Sequence, residues 1–158
     1  MTGVTEFTEN RQVRMRAMLF DAQRGNREIG TDEPLGLERS SDQLVWVDLE
    51  DPSEDDVHKL ATHLSLPSAA VDGYLGTETN PTLQNCGKCF WLRVVAVADT
   101  SGHEFTGTVL TIVAGSNFVA TLHRTPVEFL ETFRQGTASK GGVGALGSGS
   151  FVAALLDW

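Results

Sequence analysis

The stretch LVWVDLEDPSEDD, residues 44–56, decides the fold: it runs from an apolar strand through an acidic turn into the capped start of a helix. Leu44, Val45, Trp46, Val47 and Leu49 make a short apolar run, the pattern of a strand covered on both faces. Asp48 interrupts it near its end. Pro52 has no amide to donate and biases Asp51 away from helix, so the strand is expected to stop near Glu50. Ser53 then reads as an N-cap. Asp56, three residues on, reaches back as a short capping box, and Glu54, Asp55 and Asp56 sit at the positive end of the helix dipole. Val57, Leu60, Ala61 and Leu64 follow at helical spacing, which gives the helix one apolar face to lay against a sheet.

Outward from this stretch toward the N-terminus, residues 13–21 (VRMRAMLFD) alternate, with Val13, Met15 and Ala17 on one side and Arg14 and Arg16 on the other, as a first strand does. Residues 1–12 are polar and aperiodic and read as a frayed, disordered tail. Residues 22–42 are rich in Gly, Asp, Glu, Arg and Ser, so a long loop with at most fragments of structure is expected there.

Toward the C-terminus, Ser65-Leu66-Pro67 closes one element and opens a short second helix through Ala69, Ala70 and Val71, with Pro67 in its first turn and Gly73 and Gly76 weakening it. Residues 82–84 and 89–98 read as strands about the turn Asn85-Cys86-Gly87-Lys88. The second of them, CFWLRVVAVA, is apolar on both faces apart from Arg93 and is expected to be central in its sheet. Residues 104–114 and 118–123 complete an antiparallel meander. Thr125-Pro126-Val127-Glu128 reads as a helix start, with Thr125 as N-cap, Pro126 at the first helical position and Glu128 closing the box, so that Val127, Leu130 and Phe133 face the sheet. Residues 135–150, dominated by Gly, Ser and Ala, are expected to loop freely and pack poorly. FVAALLDW, residues 151–158, reads as a helix just begun.

Composition narrows the class of protein. A chain of 158 residues with 41% hydrophobic content suits one α/β domain with its own core. No apolar run approaches the roughly 20 residues of a transmembrane helix, and the first residues lack the apolar core of a signal peptide, so a soluble, cytosolic domain is expected. The net charge is −9, from 21 acidic and 12 basic residues without a Lys/Arg cluster. That excess disfavours nucleic acid as a partner; it suits either divalent cations near the surface or plain solubility.

Three motifs bear on chemistry. Cys86-Gly87-Lys88-Cys89 is a CxxC whose thiols could supply half of a tetrahedral zinc site or a redox pair. No second Cys pair exists, and His58, His63, His103 and His123 stand at no finger-like spacing. Two ordinary turn cysteines is the simpler reading, with a labile or intersubunit metal clip as the alternative; for the chain as a whole the pair leaves open a stand-alone cytosolic metal-binding or redox module. Residues 142–147 match GxGxxG, but no strand leads into them and no second strand with an acidic residue follows, so a linker is expected instead of a nucleotide site. The acidic residues Asp48, Glu50, Asp51, Glu54, Asp55 and Asp56 lack the alternation and turn glycine of a calcium loop, and helix capping accounts for most of them. No G-x-S-x-G nucleophile elbow occurs, and nothing in the sequence argues for an enzyme.

Four segments in order resemble the N-terminal cytoplasmic domain of the CorA-like divalent cation transporters, the magnesium channels and their ZntB zinc relatives. Trp46-Val47-Asp48-Leu49 with Asp51-Pro52-Ser53-Glu54 resembles the family's W-[IV]-D-L, D-P, S/T-E signature. LSLPSAAVD, residues 64–72, resembles L-x-L-H-P-L-x-x-E-D without its His and second acid. NFVATLHRTP, residues 117–126, resembles N-[FY]-[LV]-[VI]-T-[VF]-H-x-x-P, and FVAALLD, residues 151–157, resembles the opening of the family's stalk helix.

The resemblance implies an α/β/α sandwich with a mixed, largely antiparallel sheet over residues 13–150, continued by the start of a stalk helix at residues 151–158. It implies a homopentamer at the cytoplasmic face of the membrane, regulated by intracellular Mg²⁺ held between neighbouring domains, with Zn²⁺ as a second cation. Asp72 falls where the family places an acidic ligand of that intersubunit site, its partner lying on the stalk helix. The pore tripeptide Gly-Met-Asn and two membrane spans do not occur in these residues, so the conducting part is expected elsewhere in a longer protein. Asn80-Pro81-Thr82 stands where the family often has Arg-Pro-Lys.

Overall fold

The computed structural model describes residues 14–30, 33, 42–100, 102 and 104–158, the side chains of 98–100 and 104 excepted. The expected N-terminal tail, Val13 and residues 31, 32 and 34–41 of the 22–42 loop therefore lie outside the described residues. The strands are β1 (Arg14–Asp21), β2 (Arg27–Ile29), β3 (Gln43–Glu50), β4 (Thr82–Asn85), β5 (Phe90–Thr100), β6 (Glu104–Ala114) and β7 (Phe118–His123). The helices are α1 (Glu54–Leu64), α2 (Ser68–Leu75), α3 (Glu128–Ala138) and α4 (Ser148–Leu156), with a 3₁₀ turn at Val143–Ala145 before α4.

The strands form one sheet in the order β2-β1-β3-β7-β6-β5-β4. Its centre is the parallel pair β3 and β7, registered Trp46 on Val119, Asp48 on Thr121 and Glu50 on His123. Every other neighbouring pair is antiparallel. Because side chains alternate across a strand, β3 feeds two cores. Val45, Val47 and Leu49 pack with Val57, Leu60 and Leu64 of α1 and Val71 and Tyr74 of α2. Leu44 and Trp46 pack on the other face with Leu130 and Phe133 of α3 and Phe151 and Leu155 of α4. The result is the α/β/α sandwich with a mixed, largely antiparallel sheet that the sequence implied.

Local signals near β3 act as read. Ser53 and Asp56 make both halves of the capping box, and Ser65 closes α1 in the left-handed region at φ 53. The fragment of structure expected within residues 22–42 is the short strand β2, paired with β1 through Ala17 and Ile29. Elsewhere four expectations are corrected. Pro67 stands at the N-cap of α2, one residue before the helix. Thr125 does not cap α3, whose N-cap is Val127 with no side-chain hydrogen bond. Its hydroxyl pairs with Thr108 Oγ1 at 2.8 Å and its carbonyl accepts from His123 Nδ1 at 2.7 Å, so the Thr-Pro turn ties β6 and β7 together and the helix begins later.

β5 lies next to the edge strand, not at the centre of the sheet. β7 pairs with β6 only from Leu110 to Ala114, so the outer halves of β5 and β6 run on as a two-stranded arm. Val95 and Val97 on that arm are 41% and 64% exposed, apolar residues with no layer to cover them.

The Gly-rich 135–150 stretch is packed, contrary to the linker reading. α3 runs to Ala138, and Val143 and Gly144 are buried against β1 and β3. A Cβ on Gly144 would lie 2.5–2.7 Å from the Phe20 and Asp42 carbonyl oxygens and the Ala22 nitrogen, so glycine is what lets this backbone approach. α4 then places Phe151 between Phe20, Trp46 and Phe133 at ring separations of 5.4–5.6 Å.

Candidate functional site

β3 and β7 end side by side, and the chain leaves β3 for α1 on one face and β7 for α3 on the other. Divergent exits from adjacent parallel strands open a crevice at their carboxyl ends, and α/β sheets place ligands there. Here the crevice is a cleft of about 1060 Å³ lined by the ends of β1, β3 and β7, by α3 and by Trp158.

At its base lies Asp48, 7% exposed in an otherwise apolar strand. A carboxylate so placed is stable only with partners, and it has three. Arg134 Nη2 donates to Oδ2 at 3.0 Å. His123 Nε2 lies 3.1 Å from Oδ1, and the Thr121 hydroxyl donates to the same oxygen. Trp46 Nε1 donates in turn to Thr121 Oγ1 at 3.1 Å, while the Arg134 guanidinium lies over the Trp46 ring, 4.4 Å from its centre. Strands β3 and β7 and helix α3 meet in this group.

His123 has an acceptor at each ring nitrogen, the Thr125 carbonyl at Nδ1 and Asp48 at Nε2. Only the imidazolium donates from both. Burial alone would pull its pKa down, but the hydrogen bond and charge of Asp48, the Thr125 carbonyl and Glu50 outweigh it, and the pKa rises above the ordinary 6.5. With both nitrogens engaged and the side chain 2% exposed, His123 offers no free base to a substrate, and the cluster acts as an internal clamp.

The cleft does not concentrate cations. Arg14, Arg16, His123 and Arg134 line it together with Asp48, Glu50, Glu128 and Glu131, so both signs of charge meet there. Arg14 meets Glu50 at 3.8 Å, and Arg16 binds Glu131.

The residues singled out in the sequence are dispersed. Asp72 is exposed on α2, and the described residues contain no group of three or more His, Cys, Asp or Glu able to hold a metal. Cys86 and Cys89 are free, partly buried thiols on the β4–β5 turn. Of the acidic run, Asp56 serves the cap, Glu54 lies 3.6 Å from His58, and Asp51, at φ 50, donates its amide to the His123 carbonyl. Arg93, the charge inside β5, is buried and donates to the Asn80 and Gly73 carbonyls at 2.8 and 3.1 Å and to Thr82 Oγ1 at 3.2 Å. It pins the Asn80-Pro81-Thr82 turn beneath α2.

Sequence reading missed Arg134, which lies within a helix whose cap was misplaced. The available signal was Asp48 itself, since a lone acid in an apolar strand demands a cation from elsewhere in the chain.

A central parallel pair, antiparallel arms on both sides and helices on both faces, closed at the carboxyl end by a buried ion cluster, define a regular mixed α/β/α domain. Residues 41–157 match the family described as CorA-like Mg²⁺ transporter protein, and the chain belongs to that family. Among curated proteins none matches it. Among solved structures, full-length CmaX superposes with a TM-score of 0.75 at 18% identity, over 90% of this chain and 43% of that one. The complete CorA magnesium transporter of Methanocaldococcus jannaschii gives 0.69 at 17%, over 89% and 43%. The ZntB cytoplasmic domain from Vibrio parahaemolyticus gives 0.68 at 14%, over 90% and 56%. At these identities the superpositions show a shared fold alone. The chain spans less than half the length of the first two, and among its described residues no helix is long and apolar enough to cross a membrane.

Proposed function

We propose that this chain is the cation-sensing, non-catalytic domain of a CorA-like divalent cation transporter, held at the cytoplasmic face of the membrane by the longer protein it belongs to. The observation that carries this reading is the family match over residues 41–157. The net charge of −9 supports the mechanism. In a homopentamer, domains of like charge repel; a divalent cation held between carboxylates of neighbouring copies offsets that repulsion and favours the packed, closed state. Loss of the ion lets the domains separate and the pore open. Asp72 is the candidate carboxylate, because it is exposed on α2 and free to meet a ligand from a neighbouring copy or from the segment beyond α4. The cargo is Mg²⁺ or, by likeness to ZntB, Zn²⁺.

The test is divalent influx into liposomes carrying the protein that contains this domain, with Mg²⁺ raised on the domain side at constant ionic strength. Influx is expected to fall as that Mg²⁺ rises, and Asp72→Ala to need more Mg²⁺ for the same inhibition. Influx independent of domain-side Mg²⁺ overturns the sensing role, and absence of divalent influx overturns the transporter reading.

A further inference from the structure

Cys86 and Cys89 close a tight turn held from two sides. The Cys86 amide donates to the Cys89 carbonyl at 2.8 Å, and the Gly87 amide donates to Asn85 Oδ1 at 2.8 Å. Gly87 sits at φ 86, a conformation that glycine adopts without strain. The register Gln84 on Trp91 and Asn85 on Phe90, carried one step further, sets Cys86 directly opposite Cys89.

Cross-strand partners point to the same face of a hairpin, with Cα atoms about 5.5 Å apart in a hydrogen-bonded pair and Cβ atoms about 4.5–5.5 Å apart. Cys86 packs against the α1 and α2 side of the sheet, and Cys89, two residues before Trp91 of the same cluster, continues that face. The charge of Cys86 reaches Cys89: together with burial, the larger effect, it pushes the Cys89 thiol up. The two side chains therefore leave the hairpin on one face as cross-strand partners, and neither is in a disulfide.

Ligand number decides which ion such a pair takes. Structural zinc takes four protein ligands and catalytic zinc three, and the described residues hold no third ligand near the turn. Mg²⁺ and Ca²⁺ require oxygen donors. Soft thiolates suit Cu(I), zinc and iron–sulfur clusters, and of these Cu(I), a filled-shell ion, is the one that two sulfurs can satisfy. We propose that Cys86 and Cys89 form a two-thiolate site for a soft monovalent cation of the cuprous class, separate from any divalent site on α2. Binding replaces two S–H bonds by two S–metal bonds and releases two protons, leaving a complex of charge −1 in a turn that also carries Lys88. No oxidation is involved, and the site is independent of the transporter reading.

The experiment is anaerobic titration of the 158-residue chain with Cu(I) against bicinchoninate, on the wild type, Cys86→Ser and Cys89→Ser, with sedimentation and a parallel Zn²⁺ arm. Circular dichroism of the metal-free proteins establishes that each variant is folded. The wild type is expected to take one Cu(I) per chain without changing its oligomeric state, and each variant to lose at least about 100-fold in affinity, the upper end of what losing even a supporting contact costs. Failure of the wild type to compete, equal Cu(I) retention by either folded variant, or Cu(I)-linked association of chains would overturn the site. Zn²⁺ held one to one by the unassociated chain, more tightly than Cu(I), would overturn the assignment of the ion.

Discussion

At the scale of single residues, Asp48 and His123 behave as one unit. Asp48 stands where β3 offers only apolar neighbours along the strand, and it is held by His123 of β7 and Arg134 of α3. Removing one partner from such a group is costlier than never having built it, because a charge is left buried without compensation. The pH dependence follows from the direction of the His123 shift. Its folded-state pKa lies above the unfolded value near 6.5, raised by Asp48, the Thr125 carbonyl and Glu50 against the opposing effect of burial. The protonated ring therefore contributes its full stability below about pH 6.5, and that contribution is lost as pH climbs through the raised value. Urea midpoints of the wild type and His123→Gln across this range are expected to lie furthest apart at the acid end and to converge with rising pH. A gap independent of pH would mean that folding leaves the pKa of the ring unchanged, and a gap that shrinks toward acid would mean that the fold holds the ring neutral.

At the scale of elements, helix propensity and packing make opposite demands at Gly73. Within α2, alanine would be favoured over glycine by about 1 kcal/mol on propensity alone. A Cβ there would stand 2.6 Å from Trp91 Cη2, and Trp91 is 4% exposed in the core with its Nε1 bonded to Gln84 Oε1 at 3.1 Å. A large ring so held cannot give way cheaply, and overpacking a core costs typically about 1–3 kcal/mol. Gly73→Ala is therefore expected to lower the urea midpoint despite its better propensity; a rise would show that Trp91 moves aside freely.

At the scale of the whole molecule, α4 belongs to the same core as the sheet. Phe151 is 1% exposed and touches Phe20 of β1, Trp46 of β3 and Phe133 of α3. Both helical layers share β3, so the domain should unfold in one cooperative step. Phe151→Ala is expected to shift that entire transition by roughly 3–5 kcal/mol, the usual cost of emptying a phenylalanine site in a core. Far-UV and near-UV signals followed through the same urea titration check it. If residues 151–158 belonged only to a stalk, the variant would leave the transition of the sheet where it was.

The sequence alone determined whatever rests on neighbours within a turn or two. The apolar β3 run, the Ser53 capping box, the face of α1 and the meander from β4 to β7 were legible because period and cap chemistry are local, and the family resemblance supplied the layered sandwich. Tertiary structure decided the rest. Arg134 reaches Asp48 across 86 positions in the chain, a partnership that no local period encodes. Thr125 had the sequence of a cap, but its hydroxyl and carbonyl are engaged by Thr108 and His123. Val97 had the sequence of a central strand, but β7 is too short to cover it, and Gly144 lies in a stretch of linker composition, but two strands pass within van der Waals reach. In each case the outcome turned on which distant backbone lies alongside, and that is fixed only when the sheet closes its order and its two helical layers pack.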